Sequence, residues 1–421
     1  MKKLLLYLLI ALLTVSCAKR NVKPVLKPSP PSAQSCQCQA TEQPPVQLPD
    51  GAKSTDTHST ETKPIEAAKI ADFSLLKPAR WEDIDGFQQD DLSAGWDAWQ
   101  KNCTTLINKP QWQSVCAVAK NMAKPSNASI IAYLTNHFDV YATTNQDGTS
   151  TGLITGYFQP TLKGSRTKSA QFPHPLYRQP NDLIAVELAD IYPDLKYKRV
   201  RGKLQGNKLV PYSTRAEIEV NPSPLAGSEI FWVEDIIDVF FLQVQGSGIV
   251  SLENGDQVQV GYAEQNGHAY NSIGRLLVER GELNASQASM QGIKNWARNN
   301  LGKLRDLLNS NPSYVFFREL PTGLPGPIGA LGVPIATERS VAIDPKFIPL
   351  GAPLFLSTTQ PNSAKPLKRL MMAQDTGGAI KGGVRADYFW GAGVDAGAKA
   401  GAMKQQGKIW VMLPKGYQFS Q

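Results

Sequence analysis

The sequence predicts a mainly β protein with an α-helical N-terminal section, and three features of the 421-residue chain say so. Leu92, Trp96, Trp99 and Cys103 recur at helical spacing. From Ile154 to Gln265 the texture changes to short apolar runs broken by Gly, Asn and Pro. The C-terminal stretch repeats that texture with few long helical patterns, which predicts a small closed barrel. A chain of this length exceeds one ordinary core, so about two globular units plus non-globular sequence are expected.

Residues 1–16 read as a signal peptide: Lys2 and Lys3 precede an apolar run from Leu4 to Val15, which Ser16 ends. The run is too short to span a bilayer comfortably. Cys17 follows the small residue as in the bacterial lipobox, although Thr14 stands where Leu is usual. That resemblance predicts lipidation of Cys17. Ala18, not the Asp that retains lipoproteins in the inner membrane, follows it. The predicted location is therefore the outer membrane, lipid-anchored and facing the periplasm. The competing reading is an ordinary signal peptide with an incidental cysteine. Residues 17–69 are rich in Pro, Ser, Thr and Gln and nearly free of aromatics. Such sequence buries too little apolar area to offset its chain entropy, so it is read as a disordered tether.

Order is expected from Phe73. A first helix carries Trp96 and Trp99, and a second, less regular pattern runs from Ile131 through Leu134 to Val140 with His137 inside it. Cys103 and Cys116 flank Asn108-Lys109-Pro110, a turn that can bring the chain back. In an exported protein the pair is predicted to form a disulfide, the alternative being two free buried thiols. Cys36 and Cys38 lie in the tether and are left unassigned. Phe240 to Gln245 alternates apolar and polar residues after Phe241 and reads as a strand. Asn254-Gly255-Asp256 then turns into Val258–Tyr262, a hairpin pattern. Ile293, Trp296, Leu301, Leu304 and Leu308 describe one amphipathic helix that closes near Asn311-Pro312. Strands are expected at Val341–Ile343, Pro353–Leu356, Leu370–Ala373 and Ile409–Leu413.

The net charge of +8 is spread along the chain without a basic tract, which argues against nucleic acid as a partner. Four histidines, no HExxH and no CxxC pair argue against a metal site. Gln245-Gly246-Ser247-Gly248 lacks the outer glycine of a serine-hydrolase elbow. Gln243, Gln245 and Ser247 are candidates to line a groove and bond sugar hydroxyls and acetamides; the other reading is a polar face in water. The densest cluster is Gln374-Asp375-Thr376-Gly377-Gly378 with Lys381, Arg385 and Asp387 just beyond. An Asp at the end of the apolar strand holding Met371 and Met372 can lose solvent and gain affinity for a proton. It can also simply cap a turn. Asp-Thr-Gly is the aspartic-protease triplet, but that chemistry needs two such carboxyls and no second triplet exists.

Four segments together resemble one family. They are Gly156–Pro160, Phe241–Gly248, Asn311–Phe317 and the Asp375 cluster. In order, from about residue 80 to 415, they resemble membrane-bound lytic murein transglycosylase A. The resemblance implies a double-psi β-barrel catalytic domain, 70–157 plus 309–421, with an inserted second β-barrel domain, 158–308, and a groove between them. It implies a three-aspartate module matched to Asp344, Asp375 and Asp387, with Asp375 as catalytic acid and base and the other two in support. Tyr157, Gln159, Gln243, Gln245, Ser247, Gly248, Gly377, Gly378 and Lys381 are the expected substrate contacts. The implied reaction cleaves the MurNAc-GlcNAc β-1,4 bond of peptidoglycan and leaves 1,6-anhydromuramic acid ends, without cofactor. Expected partners are peptidoglycan strands, the outer membrane and cell-wall synthases. Two alternatives remain: a hydrolytic muramidase on the same fold, and a non-catalytic glycan-binding lipoprotein.

Overall fold

The computed structural model describes residues 73–419. The signal peptide, Cys17, the tether with Cys36 and Cys38, and the expected domain start at 70 lie outside these described residues.

Strand β1 (Leu76–Ala79) leads to helices α1 (Trp96–Leu106), α2 (Gln113–Lys120) and α3 (Asn127–His137), then β2 (Phe138–Thr143) and β3 (Gly152–Gln159). Helix α1 buries Trp96, Trp99, Cys103 and Leu106, one face of a helical repeat. The turn after it opens on Pro110, whose missing N–H costs nothing at a helix start. Cys103 and Cys116 are bonded across it, with Cα atoms 5.1 Å apart, as expected from sequence. Trp99 donates to the Tyr133 hydroxyl at 3.1 Å, and that hydroxyl donates to the Val115 carbonyl at 2.9 Å, so the three helices share one aromatic core. His137 ends α3, but Val140 belongs to β2, where Phe138 and Val140 point inward. Two apolar residues spaced by two fit a strand as well as a helix edge, which misled the reading of periodicity.

The next stretch holds β4 (Thr161–Ser165), β5 (His174–Tyr177), β6 (Ile184–Ala185), β7 (Arg201–Gln205), β8 (Lys208–Pro211), α4 (Arg215–Ile218), β9 (Glu229–Val233) and α5 (Ile236–Gln245). It continues through β10 (Ser247–Leu252), β11 (Gln257–Gln265), α6 (Ile273–Glu279), α7 (Met290–Asn299), α8 (Leu301–Asn309) and β12 (Val315–Glu319). Strands order as β12-β11-β10-β4-β9-β5, and the sheet curls until β5 and β12 meet. Because β12 belongs to this sheet, the inserted part runs beyond residue 308 to Glu319. The smaller sheet β6-β7-β8 stands apart from it.

Two elements here differ from expectation. Phe240–Gln245 is the second half of helix α5, not a strand. Asp235 caps that helix by accepting from the Ile237 N–H at 2.8 Å, and Gly246, at φ +79°, ends it in the left-handed conformation glycine tolerates. Helix α5 packs against both the sheet and other helices, so it is apolar nearly all round and shows no clean period. The hairpin does form about Asn254–Asp256, with Ser247–Leu252 as its first strand. The single helix expected from Ile293 to Leu308 is two, α7 and α8, breaking at Asn300 (φ −136°, ψ 45°) while Ile293, Trp296, Leu304 and Leu308 stay in one cluster.

Beyond the insert come β13 (Ser340–Ile343), β14 (Pro353–Thr359), β15 (Pro366–Thr376), β16 (Ala386–Ala392), α9 (Val394–Ala402) and β17 (Lys404–Pro414). The four C-terminal strands read from sequence are all present. The order β17-β14-β15-β13-β16-β3 returns to β17, which closes a six-stranded barrel, and β2 and β1 extend from β17. β13 pairs β15 in parallel and β16 pairs β3 in parallel. This mainly β architecture, a double-psi barrel built from both ends of the chain with a second barrel inserted, is the fold class expected. Its interior is a continuous apolar core that includes Val341, Ile343, Leu354, Leu356 and Met372.

Candidate active site

Strand register assembles the centre of the site. Ala342 on β13 faces Asp375 on β15 and, on its other side, Asp387 on β16, and Asp387 in turn faces Thr155 on β3. Four neighbouring strands thus place two carboxyl residues in one row at one end of the barrel. The β13–β15 ladder slips by one residue between Val341 and Ala342, so Gln374 is the extra residue of a bulge. Its carboxamide is fully buried, accepting from the Ser340 hydroxyl and the Ala336 N–H while donating to Asn102 at 2.6 Å. Asn102 donates on to the Gly351 carbonyl at 2.9 Å. The bulge therefore ties the strand to α1 immediately before Asp375, and the polar Gln374 inside an apolar strand was its only signal in the sequence.

Asp375 is half-buried. Oδ1 accepts from the Ala330 N–H at 3.0 Å and the Thr376 N–H at 2.9 Å, and Oδ2 accepts from the Tyr157 hydroxyl at 3.2 Å. Burial raises its pKa above the ordinary carboxylate value, and the two backbone donors, Tyr157 and the charge of Arg199 oppose the rise. Asp387 accepts from the Thr155 hydroxyl at 2.6 Å. Burial raises its pKa as well, Thr155 and Arg385 oppose this, and the charge on Asp375 adds to the rise. Tyr157 is 7% exposed, its ring lies 5.1 Å from that of Phe389, and burial beside the two carboxyls pushes its phenol well up. It is neutral and donates.

Asp344, third of the aspartates, is 4% exposed and does not face Asp375 across the row. It accepts from the Lys346 N–H at 3.2 Å and the Gly382 N–H at 3.0 Å, pinning the loop after Asp375 to the end of β13. Lys381 stands 4.0 Å from it on the surface. A cleft opens here between barrel residues Asp344, Thr376, Gly377 and Lys381 and an insert segment spanning 186–201.

The remaining expected contacts divide. Gly377 and Lys381 line the cleft, and Gly378 is exposed beside it. Gln243 is turned into the insert, 6% exposed, accepting from the buried Arg215. Arg215 also donates to the Ser313 and Asn311 carbonyls, so this amide serves a core network rather than a groove. Gln159 is 3% exposed and reaches the Gly248 carbonyl at 3.5 Å. Gln245 spends its carbonyl on the Phe158 N–H at 3.0 Å, joining α5 to β3. Ser247 is buried, and a side chain on Gly248 would meet Leu242 at 2.4 Å, so that glycine is a packing requirement. Reading α5 as a strand put these side chains on an open face that a helix does not have. Arg199, Ala330 and Thr155 were not singled out from sequence; Arg199 and Ala330 lie in segments without a motif, and Thr155 stands just before the Gly156–Pro160 segment.

A closed barrel with two buried-end carboxyls in one row, interrupted between β3 and β13 by a second barrel, defines a class of carboxyl-centred β proteins. Residues 153–318 match the MltA specific insert domain and residues 339–413 match the 3D domain. The membrane-bound lytic murein transglycosylase A of Escherichia coli (strain K12) is 34% identical over 268 residues, 62% of this chain and 65% of the relative. The alignment thus spans just under two thirds of that relative's length. The crystal structure of MltA from Neisseria gonorrhoeae, monoclinic form, shares 36% identity, covering 82% of this chain and 93% of that one with a TM-score of 0.70. E. coli MltA with bound chitohexaose shares 26% identity over 76% of this chain and 90% of that one, with a TM-score of 0.59. The chain belongs to the membrane-bound lytic murein transglycosylase A family.

Proposed function

We propose that this protein is a peptidoglycan lytic transglycosylase that cleaves the MurNAc-GlcNAc β-1,4 bond and closes a 1,6-anhydro ring, with Asp375 as acid and then base. The observation that carries this reading is a half-buried carboxyl with raised proton affinity, held by two N–H groups and a phenol, whose strand continues into residues Thr376 and Gly377 that line a cleft. Support also comes from the names of the relatives and from chitohexaose, a linear β-1,4 glycan, bound to a relative of the same fold.

The local geometry suggests how one carboxyl does both tasks. Oδ1 already accepts two backbone N–H groups, so the proton belongs on Oδ2. From there it passes to the glycosidic oxygen as the bond to carbon 1 breaks. The 6-hydroxyl of the same muramic acid attacks carbon 1, and its proton returns to the carboxylate, so no water is consumed. Attack within one sugar carries little entropic cost once the ring is bent into place. Tyr157 and the two N–H groups stabilise the transient carboxylate. Asp387 acts through charge and Asp344 through loop position, neither as proton donor. Hydrolases generally need a second carboxylate for water or for a covalent intermediate; the nearest candidate, Asp387, is engaged by Thr155.

Cys17 as lipid anchor, an outer-membrane location facing the periplasm and cell-wall synthases as partners remain part of the proposal, resting on the N-terminal sequence. Mass spectrometry of sacculus digests tests the activity. Anhydromuramoyl ends support it, reducing ends would indicate a hydrolytic muramidase, and no products would indicate a binding protein.

A further inference from the structure

The cleft beside Asp375 is lopsided in charge. Lys196, Lys198, Arg199, Arg201 and Lys381 line it against Glu187 and Asp344. Three of those cations are already engaged: Lys198 with Asp194 at 3.0 Å, Arg201 with Glu264 at 3.0 Å, and Lys381 with Asp344 at 4.0 Å. Arg199 makes no ion pair or hydrogen bond with the described residues, although a guanidinium offers five donors. It sits on the insert segment between β6 and β7, whose ends are held together by the Val186 N–H on the Val200 carbonyl at 3.0 Å. Its Nη1 lies 3.8 Å from where Gly378 would carry a Cβ, an ordinary contact distance that places the guanidinium against the loop after Asp375. Its charge is felt at Asp375, whose own oxygens are taken by Ala330, Thr376 and Tyr157. An exposed, undercommitted guanidinium next to the reacting carboxyl, on the opposite wall, is built to meet a negative charge on the ligand.

We propose that Arg199 is a specificity-determining residue that binds a carboxylate carried on the lactyl side of muramic acid, and so sets which sugar presents its carbon 1 to Asp375. The inference rests on the glycan-cleaving reading above. A murein strand alternates a neutral sugar with one bearing an acidic substituent, and its two kinds of β-1,4 bond are otherwise nearly alike. A cation on one wall distinguishes them: only when the muramic acid occupies the cleft does its carboxylate face Arg199. In the alternative register the guanidinium is left unpaired, which costs affinity. The carboxylate has two sources, the stem peptide or, on peptide-free strands, the lactyl group itself.

The test measures binding in an Asp375→Asn background, which halts turnover, with and without Arg199→Gln. Three ligands are compared: neutral chitohexaose, peptide-bearing glycan oligomers and peptide-free glycan oligomers. Arg199→Gln should weaken binding of an acidic ligand by roughly tenfold, about one charged hydrogen bond, and the loss should shrink at high salt. Chitohexaose binding should change by less than about twofold, which also reports that the variant is folded. Loss confined to peptide-bearing oligomers identifies the stem-peptide carboxylate, loss confined to peptide-free oligomers identifies the lactyl carboxylate, and loss on both acidic ligands shows that Arg199 takes whichever carboxylate the muramic acid carries. Equal loss on all three ligands, or none on any, overturns the assignment while leaving the glycan reading intact. Failure of all three to bind when Arg199 is present overturns the glycan reading itself.

Discussion

At Asp375 the fold holds a carboxyl where its charged form is costly yet not unsupported: burial raises proton affinity, and three hydrogen bonds limit the rise. Asp375→Asn keeps the shape and can still accept from both N–H groups, but cannot give and recover a proton. Strand cleavage should fall by at least the ~10²–10⁴-fold typical of lost acid-base catalysis, read as anhydromuramoyl ends from purified sacculi. The same substitution carries a stability signature. A carboxyl with raised folded pKa stabilises the fold fully below its unfolded pKa and loses that contribution as pH rises through the folded value. Asp375→Asn should therefore melt above wild type on the alkaline side of the raised pKa, with the gap closing as pH falls toward the ordinary carboxylate range. A gap that stays constant across this titration would show that the carboxyl is not strained by burial. Asp387 is itself pushed up by burial and by the charge on Asp375, so Asp387→Asn mimics its neutral form and should lower cleavage only in part. Partial activity, read as anhydromuramoyl ends, is the expected result; complete loss only in Asp387→Asn would mean the wrong carboxyl was chosen as the acid.

Elements place these residues, and two linkages matter most. The Cys103–Cys116 bond closes a turn of 13 residues between α1 and α2 and should contribute roughly 3 kcal/mol in the chain-entropy account. Replacing both cysteines by Ser should lower the denaturation midpoint by that order without changing the pH profile of cleavage. Its oxidation in the native protein is checked by counting alkylatable thiols at 103 and 116 after unfolding without reductant. The Gln374 bulge is the other linkage. Helix α1 is held to β15 through Asn102 and Gln374, so a helix distant in sequence supports the residue before Asp375. The sequence showed α1 clearly, because Trp96, Trp99 and Cys103 face a core that is apolar on one side only. It did not show α5, which is covered on more than one side, or the break at Asn300, where apolar spacing continues across two helices.

For the whole molecule, the insert and barrel meet at a cleft whose barrel side carries Asp375's strand end and whose insert side carries Arg199. Both walls come from one chain that leaves the barrel after β3 and returns at β13. The N-terminal sequence carries the proposed lipid anchor at Cys17. Cys17→Ala should leave the protein soluble in the periplasm or held as precursor, because several acyl chains are needed for stable attachment. Fractionation of that variant with outer membranes in high salt would rule out lipid anchoring.

What the sequence determined by itself was whatever local chemistry encodes: the helical N-terminal face, the turn at Asn254–Asp256, the four C-terminal strands and the Asp375 cluster. These depend on periodicity, turn residues and a polar group at the end of an apolar run, all legible within a few positions. Tertiary structure decided which side chains share the site. Strand register put Asp387, Thr155 and Tyr157 near Asp375 although Thr155 and Tyr157 lie more than two hundred residues away in sequence. It turned Gln243 and Gln159 inward, because helix α5 and the close packing at Gly248 leave them no open face. It also brought Arg199 to the cleft from a segment with no motif. Such placements follow from long-range pairing and mutual burial, which a local pattern does not contain.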